Sequence, residues 1–230
     1  MSTLTIIVPV YNEEKFVIQS LERLNKVSIV DEVIVVDDCS TDNSYKLVSD
    51  YIVNKKKYKL IQTLKNSGKG QAIAAAQTMI NSDYVGIHDA DLEYYPEDLV
   101  QMYKYINKNQ LVLGSRFIGE DKRSNIYKRT LFANFFLSKL FSIIYRTKIT
   151  DIATCYKMMP TEFFKNYKIK SSGFEFEVEV LANFLKSKNK IYEVPIKYKG
   201  RSYSDGKKIK TLDGFKYIYW MLKSKLWLKN

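Results

Sequence analysis

Tyr84-Val85-Gly86-Ile87, followed at once by His88-Asp89-Ala90-Asp91-Leu92-Glu93, is the stretch from which the fold can be read. The leading residues form a short apolar run of the kind found in buried parallel strands, and the polar ones would leave its carboxyl end. Two carboxylates one residue apart then enter the same space. Desolvation and like charge both raise a carboxylate's pKa, so neither Asp stays ionised in a dry site without a counter-ion. A divalent hard cation resolves that conflict and would also bind phosphate oxygens. An isolated Asp-x-Asp is equally what a solvated loop looks like, so the rest of the chain must decide.

The same pattern recurs upstream and downstream. Residues 4–10 read as a buried strand followed by Tyr11-Asn12-Glu13-Glu14, where Asn12 is a good helix N-cap and the acids suit the first turn. Residues 33–36 form a second strand ending in Asp37-Asp38, with Ser40 or Thr41 as cap of the next helix. A third strand over 58–64 leads into Asn66-Ser67-Gly68-Lys69-Gly70-Gln71 and a helix over 72–80. That glycine loop resembles a phosphate-binding loop without full Walker spacing, and a plain glycine turn before a helix has the same appearance. Pro96, with Glu97 and Asp98 behind it, starts another helix, and residues 111–114 make a fifth strand ending in Ser115-Arg116-Phe117. Strand–helix alternation with short loops predicts an α/β fold with a right-handed, mostly parallel sheet. Ligands sit at the carboxyl ends of such strands, so Asp38, Asp89, Asp91, Arg116 and the glycine loop should converge.

The 230 residues are enough for one large α/β domain or for two small ones. Cys39 and Cys155 have no metal-ligand spacing and read as reduced thiols of a cytosolic protein. A first strand beginning at Leu4 leaves no room for a signal peptide, and no apolar run reaches spanning length. The net charge of +12 is unevenly placed: residues 1–115 hold 12 Lys/Arg against 15 Asp/Glu, residues 116–230 hold 25 against 10. The basic half must face an anion, a membrane surface or water. No nucleic-acid-binding motif accompanies the charge, so nucleic acid is not expected as a partner.

Residues 122–148 carry seven Lys/Arg and no acid, interleaved with aromatic and aliphatic residues, and should be helical. Such a helix either packs on the core or lies at a membrane interface. Residues 151–158 return toward the sheet, and Gly173-Phe174-Glu175-Phe176-Glu177-Val178-Glu179 opens a helix. Residues 191–196 make an edge-like strand containing Pro195, followed by a basic loop with Gly200 and Gly206. A last helix, about 211–228, has an apolar stripe flanked by lysines and two tryptophans, which suits docking on the core or on a bilayer surface.

Taken together, Val8-Pro9-Val10-Tyr11-Asn12-Glu13, Val36-Asp37-Asp38-Cys39-Ser40-Thr41-Asp42, Asn66-x-Gly68-Lys69-Gly70, Asp89-Ala90-Asp91-Leu92 and Gly114-Ser115-Arg116-Phe117 resemble the family 2 glycosyltransferases of GT-A fold. The branch is that of dolichyl-phosphate mannose synthase, in its soluble bacterial form. Asp151-x-x-Thr154-Cys155-Tyr156-Lys157, Gly173-Phe174-Glu175 and Glu193-Val194-Pro195-Ile196 extend the likeness downstream. Cys39 departs from it where glycine is common, and Glu93 stands where some relatives have glutamine. The transmembrane helices of other relatives are missing, which leaves a place for a membrane-anchoring partner subunit.

The resemblance implies a Rossmann-like, mostly parallel sheet flanked by helices, with a basic helical C-terminal part. Residues 1–117 would be the nucleotide-sugar-binding half, 118–208 the acceptor-binding half, and 209–230 an amphipathic helix at the membrane surface. Pro9, Tyr11, Glu13 and Asp38 would hold the donor's base and ribose, with Lys69 and Ala90 in the same donor site. Asp89, Asp91 and Glu93 would bind Mg²⁺ or Mn²⁺, and Arg116 would contact phosphate or acceptor beside the catalytic Asp91. Arg129, Arg201 and Lys207 would meet an acceptor phosphate. The expected activity is inverting transfer of one hexose from GDP-mannose or a UDP-hexose to a polyprenyl (dolichyl or undecaprenyl) phosphate, by a peripheral enzyme at the cytoplasmic face of the membrane. A phosphate monoester is largely dianionic at neutral pH and needs no side-chain base. A glycan hydroxyl would need one, and Glu175, Glu177 and Glu179 are the candidates. A non-catalytic sugar-nucleotide-binding module at a membrane is the remaining alternative.

Overall fold

The computed structural model describes residues 2–119, 123–124, 128–186, 189–201 and 211–226. Apolar, β-branched runs form the centre: β1 (Leu4–Val10), β2 (Glu32–Asp37), β3 (Tyr58–Gln62), β4 (Tyr84–Ile87) and β5 (Gln110–Ser115). They belong to a seven-stranded sheet ordered β3-β2-β1-β4-β7-β5-β8, where β7 is Lys157–Pro160 and β8 is Lys190–Pro195. Every pairing is parallel except those of β7, which runs against both β4 and β5. Leu4, Ile6, Ile7, Val33, Ile34, Val35, Val85 and Ile87 have no exposed surface, as strands covered on both faces require. The expected α/β, mostly parallel sheet is therefore present, with one strand inserted from the downstream half.

That insertion matters for the site. Because β7 is antiparallel, with Gly86 opposite Met158, its starting end lies beside the carboxyl ends of β4 and β5. Residues 151–157 are thereby delivered to the edge where Asp38, Asp89, Asp91 and Arg116 emerge. A separate, short parallel pair of β6 (Arg123–Ser124) and β9 (Tyr198–Lys199) is linked to the loop after β4 by an isolated bridge between Tyr94 and Tyr198.

The helices flank the sheet: α1 (Val17–Asn25), α2 (Ser44–Ile52), α3 (Lys69–Ala75), α4 (Asp98–Tyr103), α5 (Lys128–Tyr145), α6 (Thr161–Asn166), α7 (Phe176–Lys186) and α8 (Thr211–Leu226). Several starts differ from the expected ones. Asn12 is no cap; it takes a left-handed φ of 51° and its side chain bonds Thr41 N–H at 2.8 Å, joining two loops, while α1 begins five residues later at Val17. Neither Ser40 nor Thr41 caps α2; Asp42 accepts the Ser44 N–H at 2.9 Å instead. α3 stops at Ala75 and gives way to a tighter turn over Gln77–Met79. Gly173-Phe174-Glu175 precede α7 rather than form its first turn.

α5 is buried along one side only. Leu137 and Phe141 are buried, whereas Phe132, Phe135, Phe136 and Ile143 stay exposed. α8 packs on α5 and α7 through Tyr217, Trp220 and Met221, and leaves Phe215, Tyr219, Leu222 and Leu226 in water. Among the described residues no helix is long and apolar enough to cross a membrane.

Candidate active site

A cavity of about 240 Å³ opens at the carboxyl ends of β1, β2 and β4. Pro9, Tyr11, Glu13, Asp38, Lys69, Asp89 and Ala90, the residues assigned to the donor, all line it. So do Asp91, Glu93, Arg116, Glu177 and Arg201. The sequence-derived convergence is thus met in space. Glu175 lies outside the lining, and the side chains of Arg129 and Lys207 fall outside the described residues.

Asp38 builds one wall. Its carboxylate accepts the N–H of Ser67 at 3.1 Å, the N–H of Gly68 at 2.7 Å and the Thr63 hydroxyl at 2.9 Å. An anion that collects several donors organises a loop, and here it shapes the turn that starts α3. Gly68 is obligatory in that turn: its φ is +87°, and an added Cβ would stand 2.5 Å from the Ser172 carbonyl oxygen. Cys39 sits nearby with φ 58°, a left-handed conformation that glycine adopts without the Cβ strain.

Lys69, from the first turn of α3, spans two acids. Its ammonium lies 2.8 Å from Asp89 Oδ1 and 2.8 Å from Glu177 Oε1. Burial opposes its charge, but Asp89 and Glu177 override that and hold its pKa well above the usual lysine range. Burial likewise works against ionised Asp89, and Lys69 wins, keeping Asp89 below the ordinary carboxylate value. On the far side Glu177 Oε2 meets Lys157, a fully buried residue of β7 that also bonds the Thr154 carbonyl. Burial lowers the Lys157 pKa, with Glu177 opposing. Lys157 was missed as a site residue. The signal was available, since a lysine heading the otherwise apolar strand Lys157-Met158-Met159-Pro160 needs a buried partner.

Asp91 is treated differently by its surroundings. Burial, then repulsion from Asp89 and Glu93, push its pKa up to about 7 despite Arg201. Leu92 at φ 63° makes the tight turn that brings the Glu93 N–H to Asp91 Oδ1 at 3.1 Å. One guanidinium, that of Arg201, faces Glu13, Asp91 and Glu93. Three carboxylates against one cation leave a surplus of negative charge, which fits a divalent ion. Among the described residues no three acidic, imidazole or thiol groups form a ready cage. Mg²⁺ suits such a site, because it takes one or two carboxylates and fills its shell with phosphate oxygens and water.

Arg116 leaves β5 and grips buried Asp151 through two 2.7 Å bonds, with its guanidinium carbon 4.8 Å from the Tyr198 ring centre. It thus lines the cavity while its fork is engaged from behind. Glu175 folds back on its own loop, where Oε1 accepts the Gly173 N–H at 3.1 Å. Glu179 accepts the backbone N–H groups of Lys170 and Ser171, away from the cavity. Beneath the aspartate pair, His88 is bracketed by Ser20 Oγ and Tyr156 OH, each at 3.0 Å, and burial lowers its pKa to about 4.

Residues 5–168 match the model of glycosyl transferase family 2. The dolichol-phosphate mannosyltransferase of Pyrococcus furiosus is 24% identical over 95% of this chain and 63% of its own length. The UDP-N-acetylglucosamine–dolichyl-phosphate N-acetylglucosaminyltransferase of Methanococcus voltae is 25% identical over 96% of this chain and 95% of its own. A crystal structure of glucosyl-3-phosphoglycerate synthase from Mycobacterium tuberculosis, in complex with Mn²⁺, uridine diphosphate and phosphoglyceric acid, superposes with a TM-score of 0.71. The match covers 97% of this chain and 78% of that one at 17% identity, which is a likeness of fold. The paired aspartates, the glycine loop and the sheet that presents them accordingly have one reading: the chain belongs to glycosyl transferase family 2 and is a glycosyltransferase of GT-A fold.

Proposed function

We propose that this enzyme transfers a single hexose, with inversion, from a nucleoside-diphosphate sugar (GDP-mannose or a UDP-hexose) to a polyprenyl phosphate at the cytoplasmic face of a membrane. The observation that carries the acceptor class is the state of Glu177. It is the one candidate base among Glu175, Glu177 and Glu179 that lines the cavity, and its two oxygens accept from Lys69 and Lys157. Lone pairs aimed at two ammonium groups are not aimed at an acceptor hydroxyl. A phosphate acceptor removes the need, since its oxygen is already anionic.

In this reading the acceptor's phosphate oxygen attacks the anomeric carbon and the bond to the donor diphosphate breaks. No proton has to move. Pro9, Tyr11, Glu13 and Asp38 shape the nucleoside wall, and Lys69 holds Asp89 ionised beside the diphosphate. Asp89 and Asp91 would hold Mg²⁺ or Mn²⁺, which when bound neutralises the leaving diphosphate as a Lewis acid. Arg201 and Arg116, with Arg129 and Lys207 on segments whose side chains lie outside the described residues, supply the cationic side for an anionic acceptor. The names of the relatives from Pyrococcus and Methanococcus, both dolichyl-phosphate sugar transferases, support the acceptor class. The exposed aromatic stripes of α5 and α8 support contact with a membrane surface.

The test is nucleoside diphosphate release from a panel of sugar donors with Mg²⁺ or Mn²⁺, with and without a polyprenyl phosphate. Release that requires the lipid phosphate is expected. Turnover with a glycan acceptor but not with lipid phosphate would overturn the proposal. That second reading would need a base such as Glu175, whose buried Oε2 has no hydrogen-bond partner among the described residues but which lies outside the cavity lining. On it, Glu175→Gln abolishes turnover and leaves donor binding intact.

A further inference from the structure

Glu93 lies two residues past Asp91 and was expected among the metal ligands. Its contacts point elsewhere. Oε2 accepts the Tyr198 hydroxyl at 2.6 Å, Oε1 accepts the Arg201 backbone N–H at 2.6 Å, and the Glu93 carbonyl accepts the Lys199 N–H at 2.9 Å. Both carboxylate oxygens are engaged in a side chain that is nearly buried. These bonds fasten the turn after the aspartate pair to the segment that leaves β9.

The fastening determines where one guanidinium sits. Arg201 donates to Glu13 at 2.9 and 3.3 Å and to Asp91 Oδ2 at 3.0 Å. A guanidinium is a rigid planar fork, so fixing its backbone at the Glu93 bond restricts which carboxylates the fork can reach. The oxygen it holds belongs to Asp91, one of the paired aspartates that line the cavity.

We propose that Glu93 and Tyr198 are positioning residues, not metal ligands, that hold Arg201 as a built-in counter-ion across Glu13 and Asp91, so that Arg201 and a divalent cation compete for Asp91. This rests on the reading of Asp91 as a cation site given above, and not on the identity of donor or acceptor. In the nucleotide-free chain the acid surplus is already partly neutralised, and a cation binds weakly. A nucleoside diphosphate offers the guanidinium a second anionic partner and weakens the competition. Cation and nucleotide then favour each other's binding by the same factor, as linkage demands.

The experiment is Mn²⁺ binding to the full chain by electron paramagnetic resonance, first with Mn²⁺ alone and then with GDP or UDP present. Arg201→Met is expected to bind Mn²⁺ alone about tenfold more tightly than the wild type, in line with the ~1.4 kcal/mol that a tenfold change represents. Tyr198→Phe, which removes only a hydroxyl, and Glu93→Gln are expected to tighten it several-fold, with the double variant no stronger than either single one. Unchanged or weaker binding in Arg201→Met overturns the competition. Tenfold weaker binding in Glu93→Gln with no change in Tyr198→Phe makes Glu93 a ligand and overturns the positioning role. If no variant binds Mn²⁺ with or without nucleotide, the cation site itself falls and this inference with it, whereas a failed acceptor assignment leaves these results standing.

Discussion

Lys157 Nζ and Glu177 Oε2 meet at 2.5 Å, with side-chain exposures of 0% and 2%. The pair joins β7 to α7, and through Lys69 it reaches Asp89 at the aspartate loop. Two ammonium groups and two carboxylates balance there, with Lys157 and Glu177 closed off from water and Lys69 and Asp89 facing the cavity. Removing one partner of a buried pair strands the other charge, at about 3–5 kcal/mol. Lys157→Met should therefore lower stability by that order, read as a shift of the urea midpoint, although no described atom of Lys157 lines the cavity. A midpoint unchanged within error would mean that Lys69 alone suffices for Glu177.

Arg116 and Asp151 form the second buried pair of the site, and here geometry matters as much as charge. The guanidinium presents two parallel bonds and the Asp151 carboxylate also accepts the Arg116 N–H at 3.0 Å. Lysine keeps the charge but supplies one point contact instead of a fork. Arg116→Lys should cost about 1.5–3 kcal/mol in stability, the usual worth of a hydrogen bond to a charged group. Because Arg116 also lines the cavity, sugar transfer should fall at least about tenfold, and wild-type turnover in this variant would remove Arg116 from the catalytic set.

Most of the first 117 residues were legible because one period and one placement rule govern them. Apolar runs such as Ile6-Ile7-Val8 and Val33-Ile34-Val35-Val36 can be little else than covered strands, and strand ends collect ligands. The helix starts were less legible. Asn12 and Thr41 have the composition of caps, but their side chains satisfy each other across two loops, a pairing that no local rule anticipates. β7 was foreseen only as a return toward the sheet, since its antiparallel insertion between β4 and β5 depends on contacts distant in sequence. Lys157, Asp151 and Tyr198 were unassigned for that reason: each acts through a partner more than 20 residues away or on another element. Glu93 was expected at the metal from the resemblance, and a resemblance does not reveal that Tyr198 and Arg201 bond its oxygens.

Cys39 offers a test of backbone strain. A left-handed conformation costs an L-residue roughly 1–2 kcal/mol, and glycine escapes that cost while losing some entropy on folding. With φ at 58° and a half-buried side chain, Cys39→Gly should raise stability by about 0.5–1 kcal/mol. A lower thermal midpoint would show that the thiol contributes packing that outweighs the strain.

Asp91 sets a pH dependence whose sign follows from its environment. Burial, with Asp89 and Glu93 adding to it, raises its folded pKa from the ordinary carboxylate range to about 7. The folded chain then binds this proton more tightly than the unfolded chain. The associated stability is complete below the unfolded pKa and is lost as pH rises through about 7. In metal-free protein, the urea midpoint of the wild type should fall relative to Asp91→Asn between pH 5 and 8, most steeply in the first part of that interval. Parallel curves would show that Arg201 compensates the burial of Asp91 fully.

The membrane-facing proposal turns on which face of α5 and α8 meets water. Phe132, Phe135, Phe136 and Ile143 recur at helical spacing on α5, exposed by 52–74%, and Phe215, Tyr219, Leu222 and Leu226 repeat the arrangement on α8. The helices are tied together by the Tyr145 hydroxyl on the Met221 carbonyl at 2.8 Å. Lys223 lies over the Trp220 ring at 4.4 Å, so a cation accompanies the aromatic residues. Exposed side chains contribute little to the core, and replacing Phe132, Phe135 and Phe215 together with serine should leave the thermal midpoint nearly unchanged. Full burial of a Phe is worth about 1.5–3 kcal/mol, so losing even part of it three times should weaken vesicle binding by tenfold or more. Basic residues act through a different range: raising salt should weaken binding to anionic vesicles in wild type and variant alike, because screening shortens their reach to about 8 Å near physiological ionic strength. Co-sedimentation with vesicles of mixed neutral and anionic lipid separates the two contributions. Binding that the serine variant retains in full would assign these stripes to a protein partner and leave the bilayer to the lysines.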